Sequence, residues 1–386
     1  MRVRTSLSTA ALAALTTIAL AACVPNDPDA SEGIAVSSTA DACKVAANEA
    51  PAGPVVFHVT NDGDDVTEFY LLAEDGLRII SEVENIGPGI TRDLLVRVPE
   101  GKYLTACKPG MVGDGIQAAF TVTPSDSTVA PTGDREEQLT AAGEQYILYV
   151  RDQVQTLVQK TDEFVAAYEA GDYDTARAIY ADARVHWERI EPVAESFGDL
   201  DPKTDAREAD LAEGDEWTGW HRIEKHLWPP AEGYDLTAEQ QRDLAEDLKA
   251  NIATLSDEVN ADDFTLDASQ IGNGAVGLLD EVAAGKVTGE EEAWSHTDLW
   301  DFQANVDGAL VAFGVLRDVV NETDPELVST LDSRFDTLNG LLARYGSVDE
   351  GFVLYTELTP DQVKELSDAV NALSEPLSQL TAAAVL

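Results

Sequence analysis

Basic residues are scarce in this chain: 25 Lys+Arg stand against 72 Asp+Glu, giving a formal net charge of −47 over 386 residues. A field of that sign repels a phosphate backbone and draws in cations, which argues against nucleic acid as a partner. Solubility or a salty medium accounts for the same charge, so charge alone names no function. Cysteine is also scarce, with only Cys23, Cys43 and Cys107. Long apolar runs are missing beyond residue 22, so no later segment reads as a membrane span. Three chemical signatures are absent too. There is no phosphate-binding Gly-rich loop, no Gly-x-Ser-x-Gly elbow and no His-Glu-x-x-His zinc helix, which removes the usual signatures of nucleotide hydrolysis, serine hydrolysis and zinc proteolysis.

The N-terminus reads as a processing signal. Arg2 and Arg4 form a basic start, and the apolar stretch from Leu7 to Ala22 is too short to span a bilayer. It ends in Leu20-Ala21-Ala22-Cys23, which resembles a bacterial lipobox. Residues 1–22 then read as a lipoprotein signal peptide, Cys23 as the lipidated mature N-terminus, and residues 23–33 as a polar tether. The expected product is exported and anchored by lipid to the cell envelope, on a periplasmic or other extracytoplasmic face.

About 360 residues remain, enough for two domains of ordinary size. Residues 34–123 are punctuated by Gly and Pro and carry short β-branched and aromatic runs. Val55–Thr60, Glu68–Leu72, Leu94–Val98 and Tyr103–Cys107 read as strands, and such spacing predicts a β-sandwich. Residues 124–133, rich in Ser, Thr, Pro and Asp, read as a linker. Residues 134–386 change to helical periodicity. Helices are expected over Gln138–Glu169, Asp174–Phe197, Thr218–Trp228, Thr237–Val259, Gln270–Ala284, Asp298–Val320, Pro325–Tyr345 and Thr359–Ala384, hence an all-α bundle.

One internal echo stands out. Trp187-Glu188-Arg189-Ile190-Glu191 matches Trp220-His221-Arg222-Ile223-Glu224 at four of five positions. Each copy sets a ligand-capable pair at i and i+3, Glu188 with Glu191 and His221 with Glu224, so each pair can share a helix face. Helical bundles build carboxylate metal sites from such pairs on facing helices. A solvated face with ion pairs to Arg189 and Arg222 is the bland alternative, and it weighs evenly for Glu188 and Glu191. The Gly219-Trp220 entry to His221 implies a close-packed helix start and favours a site there. Further on, Asp298 and Asp301 alternate with Leu299, Trp300 and Phe302. Acids among bulky apolar residues need a partner, a proton or a metal. Asp298 suits the first turn of a helix capped by Thr297, which leaves Asp301 as a ligand or ion-pair partner. His296 reads as ligand or loop, His186 adjoins the echo, and His58 and His226 read as structural or exposed.

The stretch from Arg184 to Trp228, with Glu188-Arg189-Ile190-Glu191-Pro192, Asp205-Ala206-Arg207-Glu208 and Gly219-Trp220-His221-Arg222-Ile223-Glu224-Lys225, resembles the EfeO type of imelysin-like protein, as does Ser295 to Asn305. The resemblance covers nearly all of the helical part. The preceding part, through Pro51 to Gly63, resembles the cupredoxin-like domain of the longer family members. The resemblance implies a cupredoxin-like β-sandwich followed by an imelysin-like helical bundle. It also implies a component of a bacterial iron-uptake system, acting with a membrane iron permease and an exported haem peroxidase. The family's His-x-x-Glu signature falls on His221 and Glu224, while Glu188 and Asp301 are added by bundle geometry.

Iron, with the ferric ion favoured, suits a site of one imidazole and several carboxylates, because hard cations prefer anionic oxygen. In the β-domain, Glu68 stands where a blue-copper centre has its first His, and Cys107-Lys108-Pro109-Gly110-Met111 lacks the second. Two arrangements stay open. Cys43 and Cys107 form a disulfide, or they join Glu68, with Met111 as a further candidate, in a thiolate and carboxylate site for copper or zinc. A binding and transport component is the leading reading, not an enzyme. The rivals are an exported metallopeptidase, for which the expected two-His motif is missing, and a metal-redox module in the β-domain.

Overall fold

The computed structural model describes residues 33–125 and 134–386, apart from 112, 114, 212, 213 and 215. Cys23, the leader, the tether up to residue 32 and most of the expected linker lie outside the described residues. No helix among the described residues is long and apolar enough to cross a membrane.

Among the described residues, nine strands build two facing sheets. They are β1 (Ile34–Thr39), β2 (Ala42–Val45), β3 (Glu49–Pro51), β4 (Gly53–Asn61), β5 (Thr67–Ala73), β6 (Ile79–Ile86), β7 (Thr91–Val98), β8 (Gly101–Cys107) and β9 (Ile116–Thr123). One sheet runs β2-β1-β4-β7 and the other β3-β9-β8-β5-β6. β1 pairs parallel with β4, and β3 parallel with β9, while the other neighbours within the two sheets are antiparallel. Alternation along β4 sends Val55, Phe57 and Val59 inward, where Phe57 meets Phe69 and Phe120 at 5.1 and 5.4 Å between ring centres.

Cys43 on β2 and Cys107 on β8 are joined by a disulfide between the two sheets. By chain entropy, closing 64 residues stabilises the fold by about 4 kcal/mol. Of the two arrangements open for these cysteines, the structure therefore has the disulfide. Glu68 is not brought to the sulfurs, and strand alternation is the reason. Phe69, Leu71 and Cys107 face the sandwich core, whereas Tyr70 and Leu72 cluster with Ala106 on the other face of the same sheet. Glu68, sharing parity with Tyr70, bonds to the Tyr70 hydroxyl and lies 3.7 Å from Lys108 Nζ.

The helical part comprises α1 (Asp134–Glu169), α2 (Tyr173–Glu188), α3 (Glu191–Glu195), α4 (Leu200–Asp205), α5 (Gly219–Leu227), α6 (Ala238–Val259), α7 (Ala268–Ala284), α8 (Asp298–Thr323), α9 (Pro325–Leu342), α10 (Pro360–Leu377) and α11 (Leu380–Val385). A two-stranded ribbon, β10 (Gly346–Ser347) with β11 (Gly351–Phe352), lies between α9 and α10. The expected helix over 174–197 breaks at Arg189 and Ile190. Pro192 is the physical reason: it lacks the N–H that would continue the ladder, and it sits in the first turn of α3 instead. α7 carries the sandwich. Asn273 donates to Leu95 O and Ser81 Oγ, both at 2.8 Å, and Arg92 pairs with Asp280 at 2.6 Å.

Candidate metal centre

The break after α2 turns Glu188 and Glu191 into the interior, and five other segments converge on the same place. α2 brings Arg184 and Glu188, and α3 opens with Glu191. α4 ends on Asp205, and α5 presents His221 and Glu224. The turn before α8 supplies Glu291 and Glu292, α8 itself Asp298, Asp301 and Asn305, and the 3-10 turn Lys286–Thr288 a lysine. Arg184, Glu188, His221, Glu224, Lys286, Glu292 and Asp298 are wholly buried, and Glu191, Asp205, Glu291 and Asp301 nearly so.

Gly219 makes the approach of α4 and α5 possible. Its φ is +79°, and a Cβ there would stand 2.0 Å from Thr204 O. With only hydrogen at that point, the N-terminus of α5 abuts the end of α4. His221 Nε2 thereby comes within 3.3 Å of Asp205 Oδ1 and 3.4 Å of Glu291 Oε1. His221 Nδ1 lies 3.3 Å from Glu224 Oε2, and the other Glu224 oxygen accepts from the backbone N–H of Trp294 and Ser295 at 3.0 and 2.7 Å.

Arg184 lies among the carboxylates. Its guanidinium binds Glu188 and Asp205, with Nε 2.6 Å from Glu292 and Nη2 3.4 Å from Glu291. Lys286 Nζ bridges Glu188 and Glu191 at 2.8 and 3.0 Å. Asn305 Nδ2 donates to the Glu188 carbonyl at 2.8 Å and reaches Oε2 of both glutamates at 3.3 Å. Arg207, half-buried at the rim, holds the outer oxygen of Glu291 at 3.3 Å.

These eight carboxyl groups exceed the three fixed cations, so the centre carries a surplus of buried negative charge that must be met by protons or by a cation. At three of the eight, burial outweighs the nearby Arg184 or the available hydrogen bonds, and protons meet the surplus. Burial, reinforced by Glu224, pushes Glu292 well above the carboxylate range, burial does the same for Asp301, and burial lifts Asp298 to about 7. Around the imidazole the balance reverses. Against burial, Arg184 and His221 hold Asp205 down to about 2, and Lys286 and His221 hold Glu291 well below its ordinary value. Burial and Arg184 push His221 down, but Asp205, Glu224 and Glu291 together raise it well above an ordinary histidine.

Two sets of donors converge on the histidine. Asp205, His221 and Glu291 offer one atom each, all within 4.8 Å of one another, and so do His221, Glu224 and Glu292. A third set, Glu188, Glu191 and Asp205, does the same beside them. His221 Nε2, Asp205 Oδ2 and both Asp301 oxygens have no hydrogen-bond partner although buried. A donor set of one imidazole and several carboxylates with orphaned lone pairs suits a hard or borderline cation.

Of the residues expected from the sequence, His221, Glu224, Glu188 and Asp301 all reach this centre. Asp301 approaches Arg184 Nε at 3.6 Å and belongs to none of the three donor sets. His186 bonds to Gln153, His226 to Tyr168, and His58 to Asp93. His296 has a positive φ of 61° in the turn before α8. Sequence reasoning did not name Asp205, Glu291, Glu292, Arg184 or Lys286 as ligands or ligand partners, although Arg184 and Asp205 stand within the stretches that carry the resemblance. Glu290-Glu291-Glu292 has the look of a solvated acidic run, and nothing local marks Lys286 as buried.

Residues 142–380 match the imelysin family. An iron uptake system component EfeO from Yersinia pestis is 36% identical over 343 residues, covering 88% of this chain and 87% of the relative. The component of the same name from Escherichia coli K12 is 35% identical over 377 residues, covering 97% and 95%, and that from Shigella flexneri likewise.

Proposed function

The chain belongs to the imelysin family, in its EfeO-type branch, and from that premise we propose that it binds iron as cargo and hands it on within an iron-uptake system. The single observation that carries the reading is the buried His221, whose Nε2 makes no hydrogen bond and lies 3.3 and 3.4 Å from Asp205 and Glu291 inside a centre with more carboxylates than cations. Iron would be held by His221, Asp205 and Glu291, with Glu224 and Glu292 adjoining. The oxygen-rich donor set favours the ferric ion. Recipient and anchor follow the same reading: delivery to a membrane permease, operation beside an exported haem peroxidase, and attachment through Cys23 in the envelope.

A peptidase is less well supported, because a scissile peptide must reach the metal and its donors lie buried. A copper or zinc redox site in the β-domain would require the Cys43–Cys107 bond to open and Glu68 to change faces.

The test uses the full chain. Titration calorimetry with ferric citrate and with zinc, backed by elemental analysis, should show tight binding that His221→Ala weakens at least 100-fold. Equal binding by the variant would remove the imidazole from the site and the reading with it.

A further inference from the structure

The sequence echo becomes a structural one. His221 and Glu224 line one half of the buried centre and Glu188 and Glu191 the other, with Asp205 belonging to donor sets on both sides. The first half has an imidazole whose Nε2 makes no hydrogen bond. The second is filled, because the Lys286 ammonium sits 2.8 Å from Glu188 Oε2 and 3.0 Å from Glu191 Oε2. Resting on the iron-binding reading above, we propose that Lys286 is a tethered cation occupying a second metal half-site, and that it limits the centre to one bound ion.

The chemistry of the pocket supports this. Glu188, Glu191 and Asp205 converge within 4.8 Å, the separation expected of ligands around one ion. Lys286 is wholly buried although it stands in a short 3-10 turn after α7, where a lysine side chain ordinarily reaches solvent. Its ammonium is a monovalent point charge with donors only, so it bridges two carboxylates, offsetting one of their charges, without competing for the imidazole. Asn305 Nδ2 reaches both carboxylates from α8 and keeps their oxygens turned to the ammonium. Arg184 takes the opposite oxygen of Glu188 and one of Asp205, leaving Asp205 Oδ2 unpartnered. Take the ammonium away, and Glu188, Glu191 and Asp205 offer one carboxylate oxygen each, an all-oxygen set suited to a hard divalent or trivalent ion.

Lys286 is a specificity-setting residue on this account, for it decides how many ions the cage accepts. The test loads the full chain and Lys286→Met with manganous ion, counts bound manganese by elemental analysis, and records electron paramagnetic resonance. Wild type should bind one ion in this centre with an isolated six-line spectrum. The variant should bind one more, with the lines broadened by coupling to a neighbour that shares Asp205. A variant that binds no additional ion, or whose spectrum stays isolated, overturns the inference and leaves the iron-binding reading standing. A wild type that binds nothing His221→Ala fails to bind overturns both. If Lys286→Met unfolds without metal, refolding with the additional ion supports the inference, and refolding without it, or no refolding, overturns it. The double variant Lys286→Met, Glu191→Gln removes one charge of each sign and should return to the wild-type count.

Discussion

Arg184 does at residue scale what a metal ion does in other carboxylate cages. Wholly buried, it lies against Glu188, Asp205, Glu291, Glu292 and Asp301 from four different segments. Its planar fork serves several carboxylates at once, which a lysine ammonium cannot do as well. Truncating one partner of a buried charge network leaves the others uncompensated and costs about 3–5 kcal/mol. Arg184→Met should therefore lower the unfolding free energy of the metal-free protein, read from chemical denaturation, by that order. Added metal should restore part of the loss by binding only the folded state. His221 and Glu224 were legible in the sequence because two echoed i, i+3 pairs stand out against their surroundings. Asp205, Arg184 and Lys286 were not, because a lone charged residue looks the same in sequence whether it meets water or a buried partner.

At the scale of elements, the centre depends on how closely helix ends approach. α5 can abut α4 only because Gly219 has a positive φ and no Cβ. Gly219→Ala adds a strained backbone, about 1–3 kcal/mol, to a collision with Thr204 O. The expected result is a lower melting temperature and a larger relative loss of metal affinity, since His221 would be displaced from Asp205. Calorimetric melting and metal titration of the same variant separate the two effects. A second element shows the same dependence on local breaks: Pro192 ends the α2 periodicity, and without that break Glu191 would continue the α2 helix rather than open α3. The periodicity of the long helices was visible in the sequence. The short α4 was not, since six residues carry too little periodic signal.

For the whole molecule, the consequence is an unusual pH dependence. Burial raises Asp298 to about 7, partial burial and neighbouring carboxylates raise Glu82 and Asp201 to about 8, and burial pushes Glu292 and Asp301 well above the carboxylate range. Folded pKa values above the unfolded ones mean that the native state binds more protons. Stability from these groups is fully present below about pH 4 and is lost as pH rises towards 8. His221, raised as well, acts in the same direction above its ordinary value. Asp205, Glu224 and Glu291 are lowered and act oppositely, but only at acid pH. The metal-free protein should then melt higher near pH 5 than near pH 8. The metal-loaded protein should show the reverse, because ligation requires the protons to leave. Scanning calorimetry of both forms across that range checks the crossing.

Composition and periodicity alone determined the two textures of this chain, a strand-rich part before residue 124 and a helical part after 133, because burial of one face writes a period of two or of 3.6 into the residues. They also determined the i, i+3 pairs and the acidic character that favours cations. Only the tertiary structure decided that the two cysteines face each other across a sandwich while Glu68 faces away, and that eight carboxyls, an imidazole, an arginine and a lysine share one desolvated space. The physical reason is the same in both cases. A side chain's charge and partners are set by what lies across from it, and that neighbour comes from a distant part of the chain.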